Sequence, residues 1–158
     1  MKFAYSGRAL YTGVAVVALG AVGAALVTQH VLGMQPCPWC VLQRLIFVAM
    51  ALVALPGLVV RQRSVQLAST VAVVALALAG VATALWQHFV AARSASCAMT
   101  LADQIMQWTG LGELLPQVFA AYASCADAAS TLLGLPYEFY SLTLFIVLGG
   151  AALLHRRA

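Results

Sequence analysis

Charge is what this sequence has least of. Only 8% of its 158 residues are charged, and acids number just four. Soluble domains carry about 25% charged residues. With 64% of its residues hydrophobic, a chain of this size cannot hide its apolar surface from water, so lipid is its solvent. Basic residues are also few, eight in all, and too scattered for a nucleic-acid surface despite the net charge of +4. No internal repeat is present. Cysteine is sparse as well: four residues, with a single C-x-x-C pair at Cys37 and Cys40. No second C-x-x-C completes a zinc knuckle, and Val41 stands where haem attachment needs histidine.

What the chain does have is long apolar runs. A hydrocarbon core about 30 Å thick takes roughly 20 residues of helix. Four stretches qualify or nearly do: about 9–28, 41–60, 67–90 and 139–154. The last is short, with Leu135-Pro136-Tyr137 as an extension at its start. Backbone polar groups in lipid must pair internally, so these are read as helices. Pro56-Gly57 is expected to fray or kink the second. The expected fold class is an all-α membrane protein, a single four-transmembrane-helix bundle.

The few charges orient it. Lys2, Arg8, Arg61, Arg63, Arg156 and Arg157 fall on one side, which the positive-inside rule makes cytoplasmic. Asp103, Glu113, Asp127 and Glu138 fall on the other. Both termini are then inside, with outer loops at 33–38 and 91–137 and all four cysteines in or beside them. Disulfides persist on that side. A basic start before an apolar run also describes a signal peptide. The run of about 20 residues exceeds the 7–15 of a signal core, so it is taken as a retained span.

The long outer loop carries Met106, Trp108, Leu111, Leu114, Leu115, Val118 and Phe119 at near-helical spacing, interrupted by Gly110, Gly112 and Pro116. Two readings stand: a short interfacial helix anchored by Trp108 and Phe119, or a loop packed on the top of the bundle.

The chemistry centres on Cys37 to Arg44. Pro38 suits the first helical position, which makes Cys37 the N-cap and Cys40 the third residue. Free N–H groups and the positive end of the helix dipole then face both sulfurs and favour thiolate. Arg44 lies one turn deeper on the face of Cys40 and is the lone charge within a span. A charge there is functional by default, against the alternative of snorkelling to the headgroups. Cys37 is expected nearer water. A C-x-x-C ring is too small to contribute much loop entropy, which favours redox use over a staple.

Cys97 and Cys125 suit a loop disulfide worth about 3 kcal/mol as a staple. Beside a second dithiol, exchange between the pairs is the other reading, and the small residues around them favour access. Gln29-His30 end the first span and Gln87-His88 the third, beside Cys40. Interfacial residues are one reading of these pairs; polar donors for a carbonyl-bearing ligand are the other. Trp39, Trp86, Tyr137 and Tyr140 suit an outer aromatic belt, and Trp86 with Phe89 also suits a ligand wall.

Taken in order, these residues resemble the disulfide bond formation protein B (DsbB) family. The resemblance rests on Gln29-His30-Val31, Pro36-Cys37-Pro38-Trp39-Cys40, Gln43-Arg44, His88, Cys97, Pro116-Gln117-Val118-Phe119, Cys125 and Leu133-Gly134-Leu135. It implies a bacterial inner-membrane enzyme that reoxidises a DsbA-like periplasmic thioredoxin-fold partner and passes electrons to a membrane quinone, ubiquinone rather than menaquinone. It further implies that the partner attacks Cys97 of a Cys97–Cys125 disulfide and that Cys125 then opens Cys37–Cys40. Cys40 would face the quinone, with Arg44 and His88 near the ring. DsbA-type partners sit near about −120 mV and structural disulfides below about −300 mV, so an ordinary disulfide would be uphill by roughly 8 kcal/mol. A strong electron sink in lipid resolves that mismatch.

One other reading is enzymatic and two differ in class. A vitamin K epoxide reductase-like protein also has a helical bundle and quinone chemistry, but its redox pair belongs to a late span. A scaffold with two structural disulfides, or a membrane metal-binding module, would carry no electron transfer.

Overall fold

In this computed structural model, residues 7–93, 99–129 and 131–157 are described. Cys97 and Lys2 lie outside them, as do the side chains of Arg156 and Arg157. Among the described residues, four helices are long and apolar enough to cross a membrane: α1 (Gly7–His30), α2 (Pro38–Val59), α3 (Arg63–Phe89) and, last in the chain, Glu138–Arg157. The last has 20 residues and outruns the short apolar stretch, because Glu138 begins it and the terminal arginines prolong it. Short connections, 31–37 and 60–62, make successive helices antiparallel neighbours. The end of α1, the start of α2, the end of α3 and the start of the last helix therefore meet at one end of the bundle.

Helix α2 is the hub. It packs against both α1 and α3, and 56% of its apolar window is buried, against 28–33% for the others. Those others keep a broad face for lipid. In α1 the inward residues are Tyr11, Val14, Ala18, Val22, Ala25 and Gln29, a stripe spaced three and four apart. Lipid tails are as apolar as leucine, so close packing must hold such helices together. Two glycines allow it. A Cβ on Gly57 would lie 2.7 Å from the Tyr11 ring, and one on Gly80 would run into Phe145. Phe145 stacks on Phe47 with centroids 4.1 Å apart. Rather than breaking the helix, Pro56-Gly57 lies within its last turn, and the Val60 N–H donates to the Pro56 carbonyl at 2.8 Å.

The long connection folds over the cysteine end. A 3-10 turn (Ala91–Arg93) leads on to α4 (Leu101–Thr109), α5 (Leu111–Leu114) and α6 (Pro116–Phe119). A capping box starts α4: the Thr100 hydroxyl accepts from the Asp103 N–H, and the Asp103 carboxylate accepts from the Thr100 N–H. Gly110, at φ +66°, ends it. The stretch is helical in part and packs on the bundle in part. Ala102 and Met106 of α4 turn inward and Trp108 is 89% exposed, as an interfacial helix requires. Phe119 is not an anchor: it is buried with Met106 against Val41 of α2. A two-residue hairpin, β1 (Thr131–Leu132) and β2 (Leu135–Pro136), precedes the last helix, labelled α7 from here.

Candidate functional site

Pro38 opens α2, where its missing N–H is no loss, and Cys37 caps it. The Cys37 sulfur accepts from the Cys40 N–H at 3.4 Å and lies 3.0 Å from the Cys40 sulfur. The two sulfurs face different surroundings. Cys37 is fully buried, not nearer water as the helix register alone suggests, while Cys40 is half-buried and lines a cavity.

The cover over Cys37 is the segment before Cys125. Backbone N–H groups of Tyr122 and Ala123 donate to the Pro36 carbonyl at 2.9 and 3.4 Å, tying that segment to the residue before Cys37. Cys125 follows at a turn held by Ser124 and Asp127, whose side chains bond at 2.6 Å. Its small neighbours do not leave it accessible; Cys125 is 8% exposed. Hydrogen bonding with the Cys125 thiol, then with Cys40, and burial together push the Cys37 thiol well above its ordinary range.

Arg44 does not snorkel. It is 5% exposed, and its guanidinium donates to Gln29 Oε1 at 2.6 Å, to the Val118 carbonyl at 3.0 Å and to the Ala25 carbonyl at 3.4 Å. No carboxylate lies among these partners. A buried cation costs several kcal/mol unless compensated. Neutral oxygens supply part of that compensation and leave Arg44 free to answer a negative charge at Cys40, one turn above. Gln29 and His30 also reach the Gln117 carbonyl, at 3.4 and 3.3 Å, so the end of α1 and Arg44 together clamp α6.

A second polar chain runs to Cys40 from the opposite side. Gln87 Nε2 donates to the Cys40 sulfur at 3.2 Å, Gln43 Nε2 donates to Gln87 Oε1 at 2.7 Å, and Ser141 donates to Gln43 Oε1. Gln43 enters the sequence reading only as the neighbour of Arg44, and Ser141 and the role of Gln87 at sulfur do not enter it. A serine in an apolar helix carries no motif; only its burial in lipid marks it.

Cys40, Arg44, Gln43, Gln87, Tyr137 and Tyr140 line a cavity of about 230 Å³, whose remaining walls are mostly apolar, from Ala21 and Ala25 to Phe47 and Leu144. His88 is not among the lining residues. Its Nδ1 pairs with Glu138 at 2.6 Å, and its ring sits edge-on to Phe89 and Phe139. Trp86 and Phe89 are exposed and do not line the cavity. Trp39 is buried against Trp86 with centroids 6.2 Å apart, so it belongs to the core. Tyr137 and Tyr140 are half-buried, hydrogen-bonded to Thr28 and the Leu132 carbonyl.

Fold and site define a multi-pass membrane protein with a helix-capping dithiol beside a buried cation. The family model for disulfide bond formation protein DsbB matches residues 7–155. Disulfide bond formation protein B of Aromatoleum aromaticum is 36% identical over 145 residues, covering 89% of this chain and 87% of that one. The Ralstonia nicotianae protein of the same name is 33% identical over 154 residues, covering 90% and 89%. Disulfide bond formation protein B 1 of Pseudomonas aeruginosa is 31% identical over 162 residues, covering 97% and 98%. The chain belongs to the DsbB family, and its role is that of a membrane oxidoreductase in disulfide bond formation.

Proposed function

We propose that this protein reoxidises a DsbA-like thioredoxin-fold dithiol oxidase in the periplasm and passes the electrons to membrane quinone, ubiquinone being the expected one. It would sit in a bacterial inner membrane with both termini cytoplasmic and its thiols periplasmic, as its charge distribution favours. One observation carries the reading. Cys37 and Cys125 are buried in one core cluster, the segment before Cys125 being hydrogen-bonded to Pro36, while Cys40 opens with Arg44 onto a cavity among the helices. The dithiol thus joins the loop cysteine to a site within the bundle.

The cavity fits a quinone ring. An apolar cavity of about 150 Å³ takes benzene, and this one is about 230 Å³. Arg44, Gln43 and Tyr137 bring N–H and O–H donors to it, as two carbonyl oxygens require. Quinone supplies a two-electron sink, leaving as quinol with two protons. His88, paired with Glu138 outside the lining, is assigned a supporting place near the ring.

In the proposed cycle, a partner thiolate attacks Cys97 and breaks a Cys97–Cys125 disulfide. The freed Cys125 attacks Cys37, forming Cys37–Cys125 and breaking Cys37–Cys40, whose electron pair stays on Cys40. The partner's second thiol resolves its bond to Cys97 and leaves oxidised; Cys97 then displaces Cys37 from Cys125, and the electron pair left on Cys37 and Cys40 would pass to bound quinone as their disulfide re-forms. The shared burial of Cys125 and Cys37 in one core cluster supports the middle step, since that exchange needs no long approach. Arg44 supports the last, holding negative charge on the sulfur that faces the cavity. The test is quinone reduction by the purified protein with a reduced thioredoxin-fold donor, across the four single Cys→Ser variants. Cys40→Ser should abolish quinone reduction and leave the loop disulfide formed. Normal turnover in that variant overturns the proposal.

A further inference from the structure

The chain Ser141–Gln43–Gln87–Cys40 runs from α7 through α2 to α3 and back to the first turn of α2. Gln43 and Gln87 are 5% and 6% exposed. A buried amide without partners costs a few kcal/mol, about 1–3 by mutation, so both must be bonded. They are, and every bond points one way. Ser141 O–H donates to Gln43 Oε1, Gln43 N–H to Gln87 Oε1, and Gln87 N–H to the Cys40 sulfur. Turning over either amide alone would set N–H against N–H or oxygen against oxygen. The polarity therefore belongs to the chain as a whole.

We infer that Gln87 is a catalytic residue that donates to the Cys40 sulfur when that sulfur carries negative charge, and that Gln43 and Ser141 are positioning residues acting through it. This rests on the proposed reading of Cys40 as the sulfur that keeps the electron pair. Cys40 then has two kinds of support. Arg44 acts from one turn below as a charge, and Gln87 acts at 3.2 Å as an oriented neutral donor. The neutral donor has a use in lipid: it stabilises an anion without adding a second buried cation to be compensated. The opposite polarity is also complete. With both amides turned over, Ser141 donates to its other acceptor, the Glu138 carbonyl at 2.9 Å, and Gln87 presents its oxygen to a protonated thiol. The relay accommodates either protonation state of Cys40 with no buried polar group left unpaired.

The test needs neither quinone nor partner. Fully reduced, full-length protein in detergent is treated with iodoacetamide, and alkylation of Cys40 is followed by peptide mass spectrometry across pH. Gln87→Met should slow Cys40 alkylation at neutral pH roughly tenfold, the equivalent of about 1.4 kcal/mol, and displace its rate–pH profile. Gln43→Met should slow it roughly threefold, as expected of a group acting at one remove. The double variant should match Gln87→Met alone, because Gln43 acts only through Gln87. Ser141→Ala, a mild change on a half-buried surface, carries the test should Gln87→Met not fold, with an expected slowing of roughly twofold. An unchanged Cys40 profile in Gln87→Met or Ser141→Ala overturns the inference. So does an effect of Gln43→Met that persists in the Gln87→Met background. Normal relay behaviour with no quinone reduction would sink the proposed function and leave the relay standing; the reverse result would sink the relay alone.

Discussion

Helices α1 and α3 carry the same dipeptide in their last turn, Gln29-His30 and Gln87-His88, at the same end of the bundle. In both, glutamine turns inward and histidine outward, because successive helical residues differ by about 100° in direction. Gln29 and Gln87 are buried; His30 is exposed and His88 partly so. Yet the two glutamines do opposite things. Gln29 offers its oxygen to the Arg44 guanidinium, and Gln87 offers its N–H to the Cys40 sulfur. The same side chain meets a cation in one helix and a sulfur in the other. The histidines diverge too: His30 reaches a loop carbonyl, and His88 meets a carboxylate. An amide is thus assigned its role by the neighbour that folding brings to it.

That contrast can be broken at the groups the glutamines serve. The largest effect is expected at Arg44. Arg44→Met should lower quinone reduction on the order of a hundredfold or more, the scale of losing an electrostatic group at a reacting centre. Arg44→Lys should not restore it, since one ammonium cannot reach the three oxygens that the fork now holds. Rates near those of the unaltered protein in either variant would show that Arg44 only packs.

Next come the glutamines themselves. Gln29→Leu removes an acceptor from a buried cation and should cost about 2 kcal/mol, seen as a lower unfolding temperature in detergent. Gln87→Leu should cost about 1 kcal/mol, because the partners it leaves are a sulfur and a neutral amide. Equal losses would erase the distinction drawn between the two.

The histidines should matter least. Glu138→Gln removes the carboxylate facing His88, whose side chain is 28% exposed. Such a pair is worth about 1 kcal/mol or less, so quinone reduction should change no more than severalfold. His30→Ala, at an exposed position, should shift stability by no more than about 0.5 kcal/mol. A collapse of activity in Glu138→Gln would instead put His88 at the centre of the chemistry.

Much of this molecule is legible one residue at a time. The four apolar runs, the Pro38 start of α2, Cys37 as its cap and the lone charge at Arg44 follow from hydropathy and capping preference. They depend on what a segment meets locally, and lipid imposes the same demand on every segment. Residues whose meaning is relational are less legible. Phe119 has the composition of a membrane anchor and is a core residue, because α6 folds back onto Val41. Cys125 stands among small residues and is buried, because Tyr122 and Ala123 lie along Pro36. His88 carries the chemistry of a ligand donor, yet Glu138, 50 residues away, claims its ring nitrogen.

The sequence by itself determined that this chain lives in lipid, that four helices cross it, and that two thiols stand at the start of one of them. Scarce charge and helix-end chemistry are sufficient for that. Tertiary structure alone decided that Cys37 and Cys125 are buried together, and it aligned Ser141, Gln43 and Gln87 toward Cys40. The reason is physical. A buried polar group in lipid must find its partner within the protein, and that partner sits on another helix, at a distance along the chain that no local pattern records.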